Sequence, residues 1–202
     1  MARSDEALHR RLAPADPVER LVFDLLEQIR VEAGPPAGMP GVARNLRHRF
    51  EQWSLAFHRS GLTESSRGIL LYTVAQICRA RVTGEPVLEE TEDLLETPRG
   101  SIVPVLGHDL AALRRHRDDQ AEYARHALAI AHIVGEMIHS ADDERGNGQQ
   151  GDEAEDRTAL ARFMEPDDAA GDGEIAIAAP GRSRVLEASD DGYRVFTRAY
   201  DR

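Results

Sequence analysis

Three side chains in the stretch AHIVGEMIHS, His132, Glu136 and His139, are of the types that hold borderline divalent ions such as Co2+ or Zn2+. At helical spacing they fall within roughly 60° of one another, opposite an apolar stripe of Tyr123, Ala127, Ile130, Val134 and Ile138. Three donors on one exposed helix face, with nothing in the sequence to orient them, read first as a hydrated surface. Metal binding there is expected to be weak and non-specific, and no metal is assigned to the chain.

A second chemical oddity is Glu32. Val18, Leu21, Val22, Leu25, Leu26 and Ile29 recur at helical spacing, and Glu32 projects between Leu21 and Leu25 on that wheel. It also stands at the helix C-terminus, where a negative charge is disfavoured by roughly 0.3–1 kcal/mol. Either an intramolecular cation meets it, such as an Arg from the next helix, or it helps form a docking surface for another subunit. Glu27 and Arg30 fall on the opposite, polar side and pair at three-residue spacing. Glu27, Arg30 and Glu32 are therefore the candidate interaction residues, with Glu27 and Arg30 expected to be exposed.

Other chemistries are argued against. All 25 basic residues are Arg, so the Lys of a Gly-x-x-x-x-Gly-Lys-Ser/Thr phosphate loop is absent from these residues and ATP hydrolysis by them is not expected. The single Cys78 lies in an apolar run and reads as a buried structural thiol, not a zinc ligand or nucleophile. No catalytic residue is assigned. The basic run Arg114-Arg115-His116-Arg117 reads as a solvated face or a contact for acidic chain.

The elements that must position these residues are helical. Asp16-Pro17-Val18-Glu19 is a capped helix start, and Gly34 to Gly41 (GPPAGMPG) ends that helix; residues 9–15 read as a basic lead into it. A second helix is expected over 42–59, with Leu46, Phe50, Trp53 and Phe57 as its stripe; Arg44, Arg47, His48 and Arg49 near its start call for acidic partners. Thr63 to Ser66 opens a third, apolar nearly all round and stopped by Gly84. The segment 87–104 reads as a helical turn and a loop broken by Pro98 and Pro104, with helix returning over 105–116. Asp118 is expected to cap a last helix over 119–139.

The fold class is thus all-α: a bundle of about five helices over 5–140, an acidic disordered linker over 141–192, and a strand-like tail over 193–202. Of the net charge of −11, residues 140–192 carry −10. Such a segment repels phosphates and anionic lipid, which argues against nucleic acid or a membrane as partner. No apolar run approaches the ~20 residues of a membrane span, the first residues lack a signal-peptide core, and one cysteine fits a reducing cytoplasm.

DEALHRRLAP, FDLLEQIRVEA and GVARNL together resemble the N-terminal region of CobT, a subunit of the aerobic, ATP-dependent cobaltochelatase. The likeness covers residues 5–46 well, RARVTGEPV moderately and DDQAEYARHALA faintly; GYRVFTRAYD resembles the segment that follows that family's acidic linker. The resemblance implies a non-catalytic adaptor. Its partners would be CobS, an AAA+ ATPase, and CobN, the large subunit that inserts cobalt into hydrogenobyrinic acid a,c-diamide during cobalamin synthesis. ATP, Mg and Co would then be used by the complex, and this chain would carry no cofactor. Family members continue into a von Willebrand A-type domain with a metal-dependent adhesion site, and the Asp-x-Ser-x-Ser run of that site is not in these residues. The chain is expected to be a piece or a shortened relative. A helical module regulating another AAA+ ATPase, with no chelatase role, is the alternative.

Overall fold

The computed structural model describes residues 4–34 and 39–145, with side chains to 141. Most of the acidic linker and all of the strand-like tail expected from the sequence lie outside the described residues. Six α-helices and two short 3-10 turns make up the described part, which has no strand. No helix there is long and apolar enough to cross a membrane.

Helix α1 (Glu6–Leu12) replaces the irregular basic lead expected from the sequence. Asp5 caps it, its Oδ1 accepting from the amides of Ala7 and Leu8 at 2.9 and 3.0 Å. Seven residues do not hold a helix alone, so tertiary contacts carry it. His9 stacks on Phe23 at 4.8 Å and reaches Asp24 at 2.8 Å, while Gln120 exchanges hydrogen bonds with the Asp5 backbone N–H and C=O.

Helix α2 (Pro17–Glu32) starts as its sequence dictates, with Asp16 Oδ1 accepting from the amides of Val18 and Glu19, both at 2.9 Å. It packs on α6 (Gln120–Arg145) and on α4 (Ser66–Thr83). Val22, Phe23, Leu26 and Ile29 are buried in that seam against Tyr123, Ala127, Ile130 and Val134.

Helix α3 (Pro40–Arg59) buries only Ser54 and Phe57 among its side chains. It leans on the bundle through an aromatic run in which Trp53 lies 5.5 Å from Phe57 and Phe57 lies 5.3 Å from Tyr72 of α4. Gly61, at φ 79°, turns the chain into the 3-10 segment Leu62–Glu64. Ser65 then caps α4, its Oγ accepting from Gly68 N at 2.9 Å. Helix α4 is buried nearly all round and ends at Gly84, φ 81°, as expected. Cys78 is fully buried there, and desolvation pushes its thiol pKa up to about 12, so it is an inert core residue.

Helix α5 (Glu92–Arg115) overturns the loop expected around Pro98 and Pro104. Both prolines sit inside one continuous helix. The carbonyls that lose a donor belong to Leu94 and Gly100, both exposed, so water can satisfy them. Burial supplies the compensation: Leu95, Ile102, Leu106, Leu110 and Leu113 follow helical spacing and pack against α4 and α6. The cap of α6 is Asp119, one residue later than expected; it accepts from the amides of Ala121 and Glu122. The helix continues to Arg145, past the end of its pattern at 139.

Candidate functional site

Glu32 is met by cations, as its place in the apolar stripe requires. Its Oε2 accepts from Arg79 Nη1 of α4 at 3.3 Å, and its Oε1 accepts from Arg49 of α3 and from Gln28 at 2.9 Å. Arg79 is shared: its Nη2 donates to Glu85 Oε2 at 2.9 Å, and its guanidinium lies 4.3 Å over the Phe50 ring. Arg47 closes the cluster, its Nε donating to Glu85 Oε1 at 2.9 Å. Two of the basic residues near the start of α3 thus find the acidic partners that their charge called for. Two carboxylates and three guanidiniums tie α2, α3 and α4 at one end of the bundle. Glu85 is aimed by the left-handed Gly84 and by its own amide, which donates to Thr83 Oγ1 at 3.1 Å.

The expected exposure of Glu27 and Arg30 is incorrect. Glu27 is 7% and Arg30 5% exposed. Both Arg30 Nε and Nη2 donate to the Glu27 carboxylate, at 2.9 and 2.7 Å. Ser4 Oγ and Gln120 Nε2 complete the carboxylate at 2.9 and 3.0 Å. The Arg30 guanidinium also lies 5.9 Å from the Tyr123 ring centre. Glu27 therefore raises the Arg30 pKa and keeps it charged despite burial. Tyr123 donates to the Leu26 carbonyl at 2.7 Å, and burial pushes its own pKa up. A wheel drawn for α2 alone shows a polar side, but the start of α6 and the segment before α1 cover that side.

The structure does not converge His132, Glu136 and His139 on one point. His132 Nδ1 lies 2.9 Å from Glu19 Oε1, and His139 Nε2 lies 3.5 Å from Asp16 Oδ2. Each imidazole serves the first turn of α2 or its cap. The Glu19 hydrogen bond, then its charge, raise the His132 pKa. Gly135 permits this approach, since a Cβ there would stand 2.9 Å from Glu19 Cγ.

Two other donor sets do converge, between α5 and α6. His108, Asp109 and His126 bring their ligand atoms within 4.8 Å of one another, and so do His116, Glu122 and His126. His126 is common to both and 4% exposed. Its Nδ1 lies 2.7 Å from Asp109 Oδ1, and its Nε2 lies 3.0 Å from Arg125 Nη2. The His116 ring stacks on it at 5.9 Å. Sequence reasoning missed this cluster because its donors come from two helices; the local signs were His108-Asp109, adjacent residues that do not ordinarily share a face, and the i,i+4 pair Glu122 and His126.

The remaining sequence features are ordinary. In the basic run, Arg114, Arg115 and Arg117 are exposed, and Arg117 pairs with Asp118 at 3.6 Å.

No curated protein and no solved structure matches the chain. A family profile does, that of cobalamin biosynthesis protein CobT, over residues 1–190. The matched span contains all six helices, the Glu32 cluster and the Glu27–Arg30 pair. An all-α region opening on a capped helix with DEALHRRLAP and FDLLEQIRVEA, and matched along nearly its whole length, belongs to the CobT family of cobalamin biosynthesis proteins.

Proposed function

We propose that this chain is the adaptor of an ATP-dependent cobaltochelatase. It docks a CobS-like AAA+ ATPase and couples it to a CobN-like subunit that inserts cobalt into hydrogenobyrinic acid a,c-diamide. The family match over residues 1–190 carries this reading. ATP and Mg belong to the AAA+ partner, because the 202 residues contain no Lys to complete a phosphate loop. Cobalt is the substrate of the complex. Catalysis resides in the large subunit, and the activity is cytoplasmic. The helical region is the docking part.

Glu27, Arg30 and Glu32 serve docking by fixing α2. Buried ion pairs at both faces of α2 hold that helix in one position, and its orientation sets the outer surface that a partner reads.

The test is reconstitution. The tagged full chain is mixed with CobS-like and CobN-like subunits, and co-purification and ATP-driven cobalt insertion are measured with and without it. The reading predicts a stable complex and insertion that depends on the chain. Insertion at the same rate without the chain overturns it. That result together with no co-purification of the CobS-like subunit transfers the chain to the alternative role, a module regulating some other ATPase.

A further inference from the structure

We propose that His108, Asp109 and His126 form a binding site for one borderline divalent transition-metal ion, of the Zn2+, Co2+ or Ni2+ class, at the seam between α5 and α6. The donor set suits that class, since two imidazoles and a carboxylate are the ligands such ions select. The geometry is nearly assembled. Asp109 Oδ1 lies 2.7 Å from His126 Nδ1 and 3.4 Å from His108 Nδ1. Donors in a tetrahedral shell, each ~2.0–2.1 Å from the ion, stand about 3.3 Å apart. The base of the site is fixed, with the side chains of His126 and Asp109 only 5% and 16% exposed. The His108 side chain is 85% exposed and can close over an ion from the solvent side, leaving the outward position for water.

The surroundings supply the rest. A ligating imidazole ordinarily donates its other N–H to a carboxylate. Here Glu122 is that carboxylate, within 4.8 Å of a His126 nitrogen. Arg125 Nη2 lies 3.0 Å from both His126 Nε2 and Glu122 Oε2. When the ion takes the Nδ1 lone pair, the proton leaves Nδ1, Nε2 becomes the protonated nitrogen, and Nε2–H turns to Glu122. Arg125, with a side chain 65% exposed, is free to swing outward. In the second donor set Glu122 already pairs with Arg125 at 3.0 Å, so the Asp109 set, which no guanidinium contacts in this way, is the primary site.

The full chain is titrated with Zn2+ by calorimetry, and with Co2+ followed by its visible ligand-field absorption. The expected result is saturable binding of one ion with a low-coordinate Co2+ spectrum. His108→Ala and Asp109→Asn should each weaken binding by more than about tenfold, with helical circular dichroism unchanged in His108→Ala. The double variant His132→Ala/His139→Ala should bind as wild type. The proposal is overturned if wild type shows no saturable binding, if binding survives both His108→Ala and Asp109→Asn, or if it is lost in the His132→Ala/His139→Ala protein.

Discussion

Arg79 on α4 reaches Glu32 at the end of α2, Nη1 to Oε2 at 3.3 Å, and the two side chains are only 6% and 10% exposed. Without Arg79, Glu32 keeps only the half-exposed Arg49 and Gln28, and Glu85 keeps only the exposed Arg47, so the cost should approach the lower end of the about 3–5 kcal/mol of breaking a buried pair. Arg79→Ala should therefore lower the melting temperature by on the order of 10 °C. Arg49→Ala removes a side chain that is 54% exposed and should cost only ~0.2–1 kcal/mol. Thermal melts of the two variants check the ranking, and equal losses would show that the Glu32 cluster is not organised around Arg79.

Glu27 and Arg30 should behave as a unit. Arg30→Leu leaves a buried carboxylate with hydrogen bonds but no counter-charge and should cost about 3–5 kcal/mol. In the double variant Glu27→Leu/Arg30→Leu most of that loss should return, because an apolar pair of similar volume carries no desolvation penalty. A double-mutant cycle in urea measures the coupling. Additive losses would mean that Ser4 and Gln120, not the ion pair, hold the contact.

How far the sequence reached depends on how local each feature is. The cap Asp16, the helix start within Thr63 to Ser66 and the stop at Gly84 are written in a few adjacent residues, and they were legible. So was the need of Glu32 for a cation, since one helix wheel exposes the conflict. Helix α1 was not legible, because its stability comes from Phe23 and Gln120, far along the chain. Pro98 and Pro104 concealed α5, although Leu95, Ile102, Leu106, Leu110 and Leu113 already repeat at helical spacing. The burial of Glu27 and the meeting of His108 with His126 depend on neighbouring helices, which a single-helix pattern does not contain.

Gly68 is required by close approach. A Cβ there would lie 1.8 Å from the Leu62 carbonyl oxygen, a backbone atom that cannot move without unseating the turn before α4. Gly68→Ala should destabilise by about 3 kcal/mol or more, at the upper end of overpacking costs. Gly100→Ala, with open space around its Cβ, should instead stabilise by ~0.5–1 kcal/mol. Chemical denaturation of both variants checks the opposite signs.

The His132–Glu19 pair gives a pH dependence of known sign. Its pKa is raised in the folded protein, so the protonated form stabilises the fold. That contribution is complete below the unfolded value of about 6.5 and is lost as pH rises through the higher folded value. Wild type should therefore be more stable than His132→Ala at low pH, and the difference should shrink above neutrality. The ring is exposed, so the effect is small. Melting curves of both proteins across this range test it; a difference that grows with pH would contradict the assignment.

The pairing of α2 with α6 has a consequence for biosynthesis. About 90 residues separate the end of α2 from the start of α6. At a ribosomal rate of roughly 5–20 residues per second, the apolar side of α2 waits several seconds for the helix that covers it. Val22, Leu26 and Ile29 are then available to a chaperone or to another nascent chain. Only when α6 emerges can Tyr123 close on the Leu26 carbonyl and Gln120 on Glu27. The first long helix made is thus among the last to be sealed, and yield in the cell depends on how well that interval is guarded.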